Sequence, residues 1–223
     1  VKILKGLNGA LLAALLAGCA HGPRPAAPLA PTDTVFDRAM SLQDFDHAIL
    51  SRAIFHETNA ARAANGAPPL KGMPALDNAA DMQATYLALT LTVGHQSMFP
   101  HEHDVGQRVA QAGLQAARVA ENAIMMPARR AADAPKPDYT YREYAAFLVE
   151  GWLNSPDHRE NMLDHRFTHL GCAARLANGF GARAERIFAT QVFFLADGIA
   201  AAQPEPSPTQ PHLNHLASAG ADQ

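Results

Sequence analysis

Cysteine is nearly absent from this chain: Cys19 and Cys172 are the only two thiols in 223 residues. A framework of several disulfides, the common support of small exported domains, is thereby excluded. Neither sign of charge dominates, with 18 basic against 21 acidic residues and a net charge of -3. No broad field draws a phosphate backbone to such a surface and no local basic patch stands out, so nucleic-acid binding is discounted. No apolar run reaches the roughly 20 residues needed to span a bilayer. A mean hydropathy of -0.12 is likewise too moderate for a polytopic membrane chain or a strongly disordered one. The chain also lacks internal repeats, a His-Glu-x-x-His zinc-protease motif and a Gly-x-Ser-x-Gly nucleophile elbow. What remains is an ordinary globular protein with one principal domain and appendages at its ends.

The appendages carry their own chemistry. Lys2 and Lys5 precede a short apolar stretch from Leu7 to Ala17, the order of a secretory signal. Leu16-Ala17-Gly18-Cys19 resembles a bacterial lipobox, which implies cleavage before Cys19 and acylation of its thiol; an ordinary signal with an incidental cysteine is the alternative. Residues 1–18 are thus expected to be a lipoprotein signal, with residues 19–40 a Pro/Ala-rich tether, densest in proline and alanine over 22–34. Several acyl chains on one residue anchor a protein without a spanning helix. Ala20 in the second mature position resembles lipoproteins sent to the outer membrane. Residues 203–223, with four prolines and with His212 and His215, read as a solvated, disordered tail. With Cys19 acylated, Cys172 has no partner, and packing alone must hold the domain expected over residues 41–202.

Within that domain, Ser41-Leu42-Gln43-Asp44 reads as a capping box. Phe45, Ile49, Leu50, Ala53 and Ile54 then recur at helical spacing until Gly66 supplies a stop. A second helix is expected from Pro74 through Leu91, a short one over 104–113, and a strand from Ala117 to Met126. Tyr144, Phe147, Leu148, Gly151 and Trp152 form a further helical stripe. Ser155-Pro156 interrupts it and opens a new short helix with His158 in its first turn. Leu170 to Leu176 and Arg186 to Leu195 read as a hairpin turning at 178–181. Helices, strand, helix and hairpin in this order argue α+β, with helices covering an antiparallel sheet.

Several segments then resemble one family. His56-Glu57-Thr58-Asn59-Ala60-Ala61-Arg62 through Gly66, the Gly94-His95 pair, Glu121-Asn122, Trp152 followed by Ser155-Pro156-Asp157-His158-Arg159-Glu160-Asn161, and Leu170-Gly171 occur in the order of the CAP superfamily. That superfamily contains cysteine-rich secretory proteins, venom allergens and plant pathogenesis-related proteins, and this chain is similar to its bacterial SCP-like branch over about residues 45 to 196. The resemblance implies an α-β-α sandwich with a central cleft where two histidines and two glutamates converge and bind a divalent metal. Carried over by position, His95 is the first histidine, Glu121 the first glutamate and His158 the second histidine. Glu150 precedes Trp152 where the family's second glutamate follows the tryptophan, and it reads as a solvated residue; Glu160 is a poor substitute.

Independently of the family, neutral imidazoles are good ligands for zinc or copper, and a carboxylate completes the shell or orients a bound water. The positive end of a helix at His158 disfavours its imidazolium. The same three residues suit a hydrogen-bonded structural cluster equally well, and sequence distance does not choose. Ser97 reads as a loop serine satisfying backbone, Cys172 as a buried inert thiol, and His101, Glu102 and His103 as a solvated loop. His56 and His169 read as packed at helix or strand edges. The expectation is an envelope-anchored binding module for a lipid, sterol-like or cell-wall ligand, leaning away from an enzyme. The alternative is a metal-dependent hydrolase of envelope polymers, with His95 and His158 as ligands of a metal such as zinc and Glu121 as general base.

Overall fold

This computed structural model describes residues 34–131, 134, 138–177 and 184–196, and among the described residues it has ten segments of regular structure. The expected signal, Cys19, the tether up to residue 33, the hairpin turn at 178–181 and the tail with His212 and His215 lie outside the described residues. After a 3-10 turn at Thr34–Asp37 come α1 (His47–Ala64), β1 (Lys71–Gly72), α2 (Pro74–Thr90), α3 (Val105–Gln111) and β2 (Ala116–Pro127). They are followed by α4 (Tyr141–Leu153), α5 (Pro156–Leu163), β3 (His169–Ala177) and β4 (Arg186–Ala196).

The folded unit starts before residue 41, inside the stretch expected to be tether. Phe36 and Met40 are buried in the main core, and Met40 donates its N–H to the Tyr139 carbonyl at 2.7 Å. The capping box expected at Ser41 is a local turn instead, in which Ser41 Oγ accepts the Asp44 N–H at 3.2 Å. The true cap of α1 is Asp46, whose Oδ1 accepts the Ile49 N–H at 3.0 Å. Both sites offer a short polar side chain ahead of the apolar stripe, but only a helix begun at His47 leaves the Asp46 N–H free to donate to Tyr141 Oη. The end of α1 is as expected: Asn65 closes it and Gly66 takes φ +76°, a conformation without steric cost only for glycine.

Sheet order is β1-β3-β4-β2, with β2, β4 and β3 antiparallel as expected. The two-residue β1 adds a parallel edge to β3, too short to show any period in the sequence. Strand alternation divides β4 between two cores. Ala189 and Phe193 pack with Leu50, Ile54, Leu148, Trp152 and Met162 of α1, α4 and α5. Val192 and Phe194 pack with Leu76, Ala80 and Val109 of α2 and α3. Helices on both sides of the sheet make the α-β-α sandwich. Helix α2 lies so close that a Cβ at Gly171 would fall inside the backbone of Leu76 and Asp77. A true capping box starts α4, with Thr140 Oγ1 and the Glu143 side chain each accepting the other's backbone N–H. No described helix is long and apolar enough to cross a membrane.

Candidate functional site

Consecutive residues of an edge strand organise the site. On β2, Glu121 faces α2 and α3 while Asn122 faces α1 and α5, because neighbouring strand residues point to opposite sides. Around the outer edge of β2 the rings of His95 and His158 approach to 6.4 Å between centroids, tilted by 59°.

His95 sits in the loop that follows α2. Helix α2 ends with Leu91 at φ +55°, and Gln83 Nε2 reaches back to the Gly94 carbonyl at 2.7 Å, which fixes the turn. Within the loop, Ser97 is buried and its Oγ accepts the Phe99 N–H at 3.0 Å, as expected for a serine that satisfies backbone. His103 is tied to the Ser97 carbonyl, while His101 lies with Gln107, Ala110 and Gln111 on the surface of α3. Neither joins the pair.

Glu121 is 7% exposed and both of its oxygens are committed. Oε1 meets His95 Nδ1 at 3.0 Å, and Oε2 accepts from Arg108 Nη2 at 2.6 Å. Arg108, fully buried, also donates to the carbonyls of Glu102 and His95. It clamps the loop and neutralises the carboxylate at once. Sequence reasoning missed this arginine, although a signal existed: Val105, Arg108, Val109 and Ala112 share the i, i+3, i+4, i+7 face of α3, and a charge on an apolar face needs a buried partner.

His158 is positioned by neutral groups. Asn122 Nδ2 donates to the His158 carbonyl at 3.0 Å and to Gln191 Oε1 at 3.1 Å, and Asn161 Nδ2 donates to Asn122 Oδ1 at 3.0 Å. Gln191 Nε2 in turn donates to Thr58 Oγ1, which donates to the Ile54 carbonyl. Thr58, Asn122 and Gln191 are fully buried, so the chain of amides ties α1, β4, β2 and α5 together. Ser155 occupies the cap position of α5 as expected but makes no side-chain capping bond.

The two rings differ electrostatically. The hydrogen bond to Glu121 raises the pKa of His95 against the opposing effect of burial. Burial lowers the pKa of His158, and the neighbouring His95 lowers it further. The direction for His158 is the one the sequence suggests, with burial ahead of any helix-end effect. Cys172 is a fully buried thiol pushed up by desolvation. Glu150 is exposed, and His56 and His169 pack on the rings of Phe36 and Phe194.

As a metal site the arrangement is open and sparse. Among the described residues no group of three or more histidine, cysteine, aspartate or glutamate side chains is placed to hold an ion. Glu121 stands behind His95, meeting its Nδ1 while the side chain stays half exposed, the relation carboxylates take to ligating histidines. Two imidazoles suit a weakly held divalent ion whose other positions are open, and they do not suit a closed structural zinc.

The profile of the cysteine-rich secretory protein family, CAP, matches residues 55–193. The chain belongs to the CAP family. Solved structures similar to it include an extracellular protein containing an SCP domain from Bacillus anthracis, at 24% identity and a TM-score of 0.49 over 66% of this chain and 41% of that one. A cysteine-rich secretory protein from Staphylococcus aureus shares 16% identity with a TM-score of 0.43, over 69% of this chain and 40% of that one. An outer surface protein from Borrelia burgdorferi shares 15% identity with a TM-score of 0.45, over 70% of this chain and 97% of that one. The chain thus spans about two-fifths of the first two proteins. Comparison with curated proteins gives no match.

Proposed function

We propose that this CAP domain is an envelope-tethered binding module that takes a lipid, sterol-like or cell-wall ligand at the His95–His158 pair, with a lipidated Cys19 as its membrane anchor. The lipobox-like Leu16-Ala17-Gly18-Cys19 supports the anchor and an outer-membrane address. The observation that carries the binding reading is the commitment of both Glu121 oxygens to His95 and Arg108. A general base needs an oxygen that reaches the proton it removes, whereas a recognition site needs fixed donors, and this carboxylate is spent on fixing one. The hydrogen bond to Glu121 favours the protonated form of His95 and burial favours the neutral form of His158, so the two rings differ as contacts for a polar head group.

The second reading, a metal-dependent hydrolase, rests on the same pair. His95 through Nε2 and His158 would hold the ion, and a bound divalent metal would supply a Lewis acid and an activated water. The chain's own contribution would be Glu121 orienting His95, with Arg108 keeping that carboxylate in place.

Mass spectrometry of lipids and wall fragments that co-purify with the full chain, beside a His95→Ala/His158→Ala variant, tests the first reading: a ligand retained by the parent and lost from the variant is expected. Finding none on either protein would remove it. Zinc calorimetry on the same two proteins and chelator-sensitive cleavage lost in Glu121→Gln would establish the second.

A further inference from the structure

The exposed large apolar side chains among the described residues all fall in one short stretch: Leu89 and Met98 are 74% and 76% exposed, and Val93 and Phe99 are about half exposed. Leu89 lies in the last turn of α2, and the other three lie in the loop that leads to α3. Tyr86 and Leu89 share a face of the helix, and Phe99 folds back edge-on to Tyr86 at 5.9 Å between centroids, so the helix end and the loop present these side chains together. The loop is pinned from within. The Ser97 N–H donates to the His103 carbonyl at 2.9 Å, the Glu102 N–H donates to the Phe99 carbonyl at 3.0 Å, and buried Arg108 holds the Glu102 and His95 carbonyls. An occupant of this surface therefore meets a backbone that is already ordered.

Charge is missing from the same stretch. Residues 82–101 contain no aspartate, glutamate, lysine or arginine, in a chain that is 17% charged. A shorter uncharged run in β4 is explained by burial of every side chain from Ile187 to Leu195, whereas here the apolar side chains face solvent. A protein partner is recognised through an apolar centre ringed by a polar rim. Protruding apolar side chains with no charge among them suit instead a medium that deforms around them and penalises charge, the boundary of head groups and acyl chains in a bilayer. We propose that the end of α2 and the loop after it dock on a lipid surface, with Leu89, Val93, Met98 and Phe99 entering an uncharged or zwitterionic leaflet. The nearest charges in sequence on either side, Asp81 and Glu102, are acidic, so nothing in the stretch favours anionic lipid. The proposal rests on the tethered reading for proximity alone: Cys19 precedes Thr34 by about 15 residues, a reach of at most about 50 Å. Held that close to a bilayer, the loop needs only a modest affinity of its own. Docking brings His95, which lies between Val93 and Met98, to the membrane surface.

Spectra of the 13C-methyl-methionine-labelled full chain on phosphatidylcholine nanodiscs carrying a nitroxide lipid test this. The Met98 methyl is expected to broaden far more than those of Met40 and Met162, which are buried in the main core. A water-soluble gadolinium chelate should broaden Met98 in the absence of discs and reach it poorly in their presence. Leu89→Asp, at a position exposed enough to leave the fold intact, should lower the ratio of docked to free loop about tenfold. His95→Ala/His158→Ala should keep the Met98 broadening, so that loss of the histidine ligand and loss of docking are read separately. A Met98 methyl untouched by the nitroxide lipid, broadening that survives Leu89→Asp unchanged, broadening lost with the two histidines, or a Met98 shielded from the chelate without discs, as a second copy of the chain would shield it, would each overturn the proposal.

Discussion

Glu121 and Asn122 are neighbours on one strand, yet the two sides of the sheet they serve solve the same problem differently. On the α2 and α3 side a loop histidine is held by an ion pair: His95 on Glu121, and Glu121 on the fully buried Arg108. On the α1 and α5 side a helix histidine is held by neutral amides running from Thr58 through Gln191 and Asn122 to the His158 carbonyl. The charged side acts on the ring itself and sets its proton affinity. The neutral side acts on backbone and sets only position. Glu121 thus biases His95 toward the cation, while burial and the neighbouring His95 bias His158 toward the neutral form.

Breaking the charged side should cost most. Arg108→Met leaves a buried carboxylate without its cation and is expected to destabilise the fold by about 3–5 kcal/mol in urea unfolding. Adding Glu121→Gln should recover much of that loss, since the uncompensated charge is then gone; failure to recover would mean that the bonds to the Glu102 and His95 carbonyls matter more than the ion pair. Gly171→Ala probes the same side through packing. Its methyl group meets helix backbone rather than a yielding side chain, so a loss at or beyond the upper end of the usual ~1–3 kcal/mol overpacking range is expected.

On the neutral side Asn122→Ala should cost about 1–3 kcal/mol by orphaning the Gln191 and Asn161 amides, and it should move the ring resonances of His158 more than those of His95. Equal shifts in both rings would erase the distinction between the two sides. The smallest effect is the most diagnostic. In an NMR titration His95 should lose its proton above the ordinary histidine range and His158 below it. The raised His95 stabilises the fold at pH below the unfolded-state value, and that contribution disappears as pH rises through its folded value. The lowered His158 contributes above the unfolded-state value and loses it as pH falls through its folded value. Glu121→Gln should bring the titration of His95 down and leave the position of His158 unchanged.

Much of this was legible in the chain itself. The apolar stripes of α1, α2 and α4, the stop at Gly66 and the alternation in β2, β3 and β4 arise from local periodicity, which burial of one face imposes on sequence. The order of His95, Glu121 and His158 was readable because each lies beside a recognisable local motif. The start of α1 was not. Ser41 and Asp46 both precede the stripe with capping chemistry, and the contact with Tyr141, 95 residues away, selects between them. Arg108, Thr58 and Gln191 escaped for a related reason: a buried polar residue is defined by partners that are distant in sequence, and each alone reads as ordinary.

Sequence by itself determined which faces are apolar, the course of the longer helices and strands apart from the start of α1, and which side chains bring imidazole and carboxylate chemistry. Tertiary structure alone decided what the carboxylate does. Packing α3 on the sheet places a guanidinium 2.6 Å from Glu121, so a residue that reads as a metal ligand or a base has one oxygen on that arginine and the other on His95. Local pattern records the burial of a face. Pairing of charges inside that face depends on the distance between elements, and only the packed sheet and helices set it.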